Sequence, residues 1–208
     1  MRGKFITFVG IEGCGKTTQI KLLDEYLRKK GFETVLSREP GGTKIGDKIR
    51  AILLDPEHKE MTPLAELFLY EASRAQHVNE LINPAVESGK VILCDRFADS
   101  SAAYQSAARL LPKDLVDELN NIAIAGIKPD LTVILDIDPE EGLKRAHVRG
   151  KPDRFEQEKM DFHERVRNGY LALAKKEPKR FIVINGRKTV EEIHREIILC
   201  ISSAINLK

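Results

Sequence analysis

Gly10, Gly13 and Gly15, with Lys16 and Thr17 behind them, stand at the spacing G-x-x-x-x-G-K-[ST], directly after the apolar run Phe5-Ile6-Thr7-Phe8-Val9. Each residue type has a use at a phosphate. Glycine permits backbone angles closed to other residues and lets amides approach phosphate oxygens. Those amides open a helix, whose N-terminus carries partial positive charge. Lys16 adds a mobile charge for the outer phosphates, and Thr17 adds a hydroxyl for Mg²⁺. Ile11, Glu12, Cys14 and Thr18 complete a loop that the spacing predicts to bind a nucleoside triphosphate. Cys14 lies near a helix N-terminus, which lowers thiol pKa values; a small space-filling role is the preferred reading over a redox one.

A phosphate-binding loop alone leaves GTPases, ATPases, kinases and motors open. The chain has no guanine-reading Asn-Lys-x-Asp sequence, which lowers the GTPase reading. Arginines at strand ends are more informative, because ligands of open α/β sheets bind outside the carboxyl ends of the strands. Asp95-Arg96-Phe97 follows the apolar Val91-Ile92-Leu93-Cys94. Asp95 is placed to hold Mg²⁺, and Arg96 to fork onto a phosphate. Arg38-Glu39-Pro40-Gly41-Gly42-Thr43 follows another strand, and a second glycine-rich loop at that edge fits close approach to a ligand. Tyr70 and Arg74, four apart on a helix, share one face and suit a planar base.

The elements that must carry these residues alternate short apolar runs with longer helical patterns, the mark of a parallel sheet covered by helices. Five strands are expected at 4–9, 33–37, 91–94, 131–135 and 181–184, all buried on both faces. The first helix runs over about 16–30, with Ile20, Leu23 and Leu27 as its apolar stripe. Asp138-Pro139-Glu140-Glu141 and Thr189-Val190-Glu191-Glu192 each read as a cap followed by a box glutamate. Thr62-Pro63 opens a helical stretch to about residue 87, with a kink expected at Asn83-Pro84. Leu111-Pro112 starts another helix, ended near Gly126. The polar stretch 148–158, with Gly150 and Pro152, reads as a mobile lid over the phosphates, part of a lid segment at about 146–157.

With 208 residues, the chain is expected to form one α/β domain over 1–208. Its 34 Lys+Arg against 32 Asp+Glu argue against bulk binding of nucleic acid. No apolar run approaches the roughly 18 residues of a membrane span, and the first strand starts too early to leave room for a signal peptide. Three cysteines without metal-site spacing fit a reduced, cytoplasmic compartment. High Lys and Glu content hints at a thermophilic source.

Together the segments Gly-Ile-Glu-Gly-Cys-Gly-Lys-Thr-Thr, Arg-Glu-Pro-Gly-Gly-Thr, Tyr-Glu-Ala-Ser-Arg, Asp-Arg-Phe followed by Ala-Tyr-Gln at 103–105, and Asp-Arg-Phe-Glu at 153–156 resemble bacterial thymidylate kinases, from about residue 4 to residue 200. That resemblance implies a P-loop nucleoside monophosphate kinase fold with a five-stranded parallel sheet and helices on both faces. It also implies a homodimer and the reaction ATP + dTMP → ADP + dTDP with Mg²⁺, in dTTP synthesis. Tyr70 would stack on thymine and Arg74 would hydrogen-bond its carbonyl. Arg96 and Arg50 would grip the dTMP phosphate, near Arg38 and Pro40. Tyr104 would lie against the deoxyribose with Gln105 nearby, and Arg145 would stack on adenine beside the loop at 185–188. Phenylalanine is common in the family where Tyr70 stands, and Ser101 takes the place of an amide or threonine in some relatives.

The acceptor of such a reaction is a phosphate whose second pKa is roughly 6, so no strong general base is needed. Repulsion between two anions is the larger obstacle. Some relatives carry an arginine at the position of Gly13, and its absence here moves the catalytic cation to Arg149, with Arg154 as second candidate. Glu12 is assigned to the Mg²⁺ shell or the sugar 3′-hydroxyl. The open alternatives are a kinase for another monophosphate or a deoxynucleoside, and a nucleotide-dependent switch or assembly ATPase.

Overall fold

A computed structural model describes residues 2–148 and 151–204. Five strands, β1 (Lys4–Val9), β2 (Thr34–Arg38), β3 (Val91–Asp95), β4 (Leu131–Asp136) and β5 (Phe181–Asn185), form one parallel sheet in the order β2-β3-β1-β4-β5. Connections from β1 run toward β2 and those from β4 toward β5, so the loops at their carboxyl ends part and open a crevice. Register decides what meets there. Phe8 pairs with Asp95 across β1 and β3, and Arg38 pairs with the same Asp95 across β2 and β3. Three strand ends therefore deliver the glycine loop, Asp95-Arg96 and the Arg38 turn to one edge.

The central strands are buried throughout, as expected, but β2 and β5 are not. These two are the sheet edges, and they alternate buried with exposed residues; Leu36 and Val183 face outward. Each strand after the first ends one residue beyond its expected end, the added residue in β2, β3 and β4 being charged.

Helix α1 (Lys16–Lys29) buries Ile20, Leu23 and Leu27 and packs on β1, β2 and β3 beside α9 (Val190–Ala204). Thr189 and Glu192 form the full reciprocal box at the start of α9, with bonds of 3.3 and 2.9 Å. At α7 (Pro139–His147) only half of that arrangement forms. Asp138 caps the Glu140 amide at 3.1 Å, whereas Glu141 pairs with Arg145 and Arg187. After α3 (Pro63–His77), the second face of the sheet is covered at Phe5, Ile92 and Phe97 by a π-helical turn at Val78–Ile82, by α4 (Asn83–Glu87) and by Ile124. The expected proline kink takes this form: the helix widens in the turn before Pro84, whose missing amide would otherwise break the ladder.

Helix α2 (Lys44–Leu54) lies against α3, which also touches α6 (Lys113–Ile124). Between β3 and α6, α5 (Ala98–Ser101) runs into a second π-helical segment, Ala102–Ala108, against α8 (Met160–Lys176). Left-handed Ala125 (φ 46°) and Gly126 (φ 83°) end α6 where the sequence places its stop. Among the described residues, no helix is long and apolar enough to cross a membrane.

Within residues 151–159, Arg154 and Phe155 are buried, while Lys151, Gln157 and Lys159 are exposed. Asp153 Oδ1 accepts the amides of Phe155 and Glu156 at 2.9 Å each, which closes a tight turn. Arg154 donates to the carbonyl of Leu53 at 2.8 Å and pairs with fully buried Glu66 at 2.7 Å. Glu66 also takes Arg109 at 3.1 Å and Gln105 at 2.9 Å. One carboxylate thus ties the turn, the second π-helical segment and α3 together. Glu66→Ala should leave buried Arg154 without a carboxylate and Arg109 with Glu158 alone, and cost about 3–5 kcal/mol, the usual loss when one partner of a buried pair is removed; urea denaturation reads this, and a loss under about 1 kcal/mol contradicts it.

Candidate active site

The loop of residues 10–15 leaves β1 and enters α1 through Gly15, in the left-handed region at φ 99° and with no side-chain cap. The first amides of α1 therefore have no competing side chain and are available to an anion. Lys16 is buried and folds back on its own loop, donating to the carbonyls of Gly10 and Ile11 at 3.3 and 3.1 Å. Its contact with Cys14 Sγ is 3.6 Å. Cys14 is itself buried, which agrees with a packing role.

Gly13 has a structural reason to be glycine. Its φ is +70°, and an added Cβ would stand 1.9 Å from the carbonyl oxygen of Gly142 in α7. Gly142 answers in kind, since its Cβ would lie 2.6 Å from the Glu12 carbonyl. Helix α7 approaches the loop too closely for any side chain at either place. An arginine at position 13 is excluded by this packing.

A single cleft is lined by Glu12, Gly13, Lys16 and Thr17 from the loop and by Arg38, Pro40 and Arg50 from the β2–α2 region. Tyr70, Asp95, Arg96, Tyr104 and Gln105 line it as well. The structure thus brings together most residues chosen from sequence. Arg50 donates to the Pro40 carbonyl at 2.9 Å across a cis Glu39–Pro40 peptide, and Arg38 meets Asp47 at 3.3 Å. Burial and the Arg38 charge push the Arg50 pKa down from its ordinary value. Arg145 donates to the Gly186 carbonyl at 3.2 Å, beside the loop expected to share adenine with it. Asp95 Oδ1 is buried without a partner among the described residues, and Thr17 is exposed close by in the same cleft. That set suits Mg²⁺, which keeps several waters and binds through one or two protein oxygens plus phosphates.

Arg96 is the most tightly held cation of the cleft. Its backbone is in the left-handed region (φ 71°), and its amide donates to the Phe8 carbonyl at 2.9 Å. Nη2 donates to Glu12 Oε1 at 2.9 Å and Nη1 to the Tyr170 hydroxyl at 3.0 Å. The Tyr104 ring lies 5.0 Å from the guanidinium, and its hydroxyl donates to Glu12 Oε1 at 2.5 Å. Burial would raise the Glu12 pKa, but the His163 ring, Arg96, Lys16 and the Tyr104 hydroxyl outweigh it and hold the carboxyl below the ordinary carboxylate range. Glu12 Oε1 thus anchors Arg96, while Oε2 is buried without a hydrogen-bond partner among the described residues.

Among the residues chosen from sequence that do not line the cleft are Arg145 and three buried ones, Arg74, Ser101 and Arg154. Arg74 lies behind it, 1 % exposed, bound to Glu39 at 2.9 Å, Glu71 at 2.6 Å and Asn120 at 2.7 Å. Ser101 is tied to the same Arg74 and Glu71, and its neighbour Ser100 lines the cleft instead. Arg154 is committed to Glu66, as described above. Arg149 lies outside the described residues.

Sequence reasoning also passed over Phe155, His163 and Tyr170. Phe155 closes the cleft edge-on to Tyr70 and Tyr104, with ring centroids 6.1 and 5.7 Å away. His163 is fully buried with neither ring nitrogen partnered among the described residues, and its Nδ1 stands 3.6 Å from Glu12. His163, Val166 and Tyr170 fall at i, i+3 and i+7 on the buried face of α8. Two polar rings on an apolar stripe were the available signal.

A parallel sheet of order 2-3-1-4-5, with a phosphate-binding loop and an opposing arginine set in one cleft, defines a P-loop nucleoside monophosphate kinase fold. The thymidylate kinase family model matches residues 8–197. The chain is 53% identical to the thymidylate kinase of Thermoanaerobacter sp. (strain X514) over 198 residues, 95% of this chain and 97% of that one. It is 50% identical to the thymidylate kinase of Geotalea daltonii over 211 residues, covering 98% and 99% of the two chains. The crystal structure of thymidylate kinase from Ehrlichia chaffeensis superposes with a TM-score of 0.80 at 35% identity, over 96% of this chain and 98% of that one. The chain belongs to the thymidylate kinase family, whose reaction is phosphorylation of dTMP to dTDP with ATP as donor.

The Gly13–Gly142 contact predicts a selective defect. Gly142→Ala should push α7 off the loop and raise the KM for ATP about tenfold or more, as sub-ångström misplacement in a phosphate site does, with the KM for dTMP changed far less. Steady-state kinetics check this, and an unchanged ATP KM contradicts it.

Proposed function

We propose that the cleft carries out ATP + dTMP → ADP + dTDP with the following division of labour. The amides of residues 10–18 and Lys16 hold the ATP phosphates. Arg145, with the loop at 185–188, flanks adenine. Tyr70 stacks on thymine, Tyr104 lies against the deoxyribose, and Gln105 lies beside them in the base pocket. Arg96, Arg50 and Arg38 take the acceptor phosphate next to Pro40. Thr17 and Asp95 would hold Mg²⁺, which supplies charge neutralisation across the donor phosphates when bound. Arg74 and Ser101 act from behind, fixing Glu39 and the turn that carries Arg38. Arg149 supplies the cation for the transferring group. The observation that carries this reading is the single cleft lined at once by Lys16 and Thr17 and by Arg38, Arg50, Arg96, Tyr70 and Tyr104.

Each group has a physical task. The acceptor phosphate is mostly dianionic at neutral pH, so the residues have to hold charge and align the attacking oxygen. Arg96 is already oriented by Glu12, and a preorganised charge costs no rearrangement when the phosphate arrives. The nearness of Phe155 to Tyr70 and Tyr104 keeps water from the base side of the cleft.

The working form is a homodimer in the cytoplasm. Ile45 and Ile52 on α2, Leu64 and Phe68 on α3, and Ile122 on α6 are large apolar residues left exposed on touching helices. Exposed apolar residues gathered on touching helices support an interface. All three cysteines are free, which fits a reducing compartment.

Two experiments test these readings. In a panel of dTMP, dUMP, UMP, dCMP and dGMP, dTMP should give the highest kcat/KM and UMP a much lower one; a better acceptor than dTMP overturns the substrate assignment. In the same assay Arg149→Ala should lower kcat by about 10³-fold, and a loss below about tenfold removes Arg149 from that role. Separately, Phe68→Glu should convert a dimer to a monomer in sedimentation velocity. A wild-type chain that sediments as a monomer at micromolar concentration contradicts the interface.

A further inference from the structure

The Arg96 guanidinium has five N–H donors, and two of its nitrogens are pinned from opposite directions. Glu12 takes Nη2 at 2.9 Å, from the loop after β1. Tyr170 takes Nη1 at 3.0 Å, from α8, 74 residues further along the chain. Two fixed points on a planar fork set its plane, whereas one alone would leave it free to rotate about that bond. The Tyr170 hydroxyl also lies 2.8 Å from Ser100 Oγ. Since it accepts from Arg96, its own proton is best placed on Ser100, and the hydrogen of Ser100, a residue of the cleft lining, is left for the cleft.

The ring of Tyr170 is only 1 % exposed and packs edge-on to Tyr104 at 6.3 Å, the same Tyr104 whose ring lies against Arg96. Neither the base nor the sugar contacts proposed above require this hydroxyl. We infer that Tyr170 is a positioning residue for the phosphoryl acceptor: through its bond to Arg96, and onward to Ser100, it fixes the guanidinium in the orientation that receives the acceptor phosphate. The inference rests on the reading of Arg96 as the phosphate ligand. It also gives α8, which follows directly on the turn at 151–159, a role in the chemistry as well as in the core.

Tyr170→Phe keeps the ring and removes only the oxygen, so the fold is retained and the melting temperature should shift by a few degrees at most. The readout is calorimetric affinity for dTMP and for thymidine, which share base and sugar and differ by the phosphate. Tyr170→Phe should weaken dTMP about 10- to 150-fold, the range for a hydrogen bond to a charged group, and change thymidine by less than about twofold. The double variant Tyr170→Phe/Arg96→Ala should bind dTMP no more weakly than Arg96→Ala alone, because the tyrosine acts through the arginine. Equal losses for both ligands, unchanged dTMP affinity, or additive losses in the double variant overturn the assignment of Tyr170. If Arg96→Ala itself leaves the ratio of dTMP to thymidine affinity unchanged, the reading of Arg96 fails, and the role of Tyr170 fails with it.

Discussion

Two phosphates repel each other, and a site that joins them needs positive charge fixed in place before either arrives. In the reading proposed above, that demand falls on Arg96. Its backbone adopts a left-handed conformation that costs an ordinary residue about 1–2 kcal/mol, its amide is tied to β1, and its guanidinium is held by Glu12 and Tyr170. Glu12 belongs to the loop that would hold the donor phosphates. The ion pair therefore links donor and acceptor halves, so that displacement of the loop would be felt at Arg96 and the reverse.

Much of the remaining structure can be understood as what keeps this pair in register. The parallel pairing of Phe8 with Asp95 puts the end of β3 beside the start of the glycine loop. The close approach of Gly13 and Gly142 fixes the loop against α7 and, through α7, Arg145 against Gly186. Behind the acceptor side, Arg74 binds Glu39 and Glu71, while His77 binds Glu39 at 3.0 Å and Ser37 at 2.6 Å. That buried network positions the turn carrying Arg38. At the far wall, Glu66 holds the turn that places Phe155 over the base pocket.

The fold was legible because its signals are local. Strand limits at Lys4–Val9, the cap-and-box at Thr189, and the stop at Gly126 each follow from a few adjacent residues. The loop at 10–17 was legible for the same reason, and so was the adjacency of Asp95 and Arg96 to it once a parallel sheet is granted. Less of the site's inner wiring could be read. Ser100 rather than Ser101 faces the cleft, at the point where α5 passes into a π-helical turn, and widening by one residue per turn defeats counting by 3.6. Arg154 sits in a polar loop sequence and is nonetheless buried, because its partner Glu66 lies 88 positions upstream. Arg74 was placed on the right helix face, yet Glu71 on the same helix and three polar partners from elsewhere in the chain draw it behind the cleft. Tyr170 gave only the weak signal of a polar ring on an apolar stripe. Edge strands β2 and β5 looked fully buried because composition carries no information about position within a sheet.

Membership of the thymidylate kinase family fixes the reaction, and the geometry supplies a reason for one of its local choices. There is no room for a side chain at Gly13, and Lys16 folds back on the loop's own carbonyls. The central claim is that Arg96, preset by Glu12, is where the acceptor phosphate binds. A crystal structure with dTMP bound tests it most directly. The expected result is a dTMP phosphate oxygen within hydrogen-bond distance of the Arg96 guanidinium while Glu12 still holds its other edge. A phosphate seated on other residues, with the Arg96–Glu12 pair turned away from it, contradicts the claim.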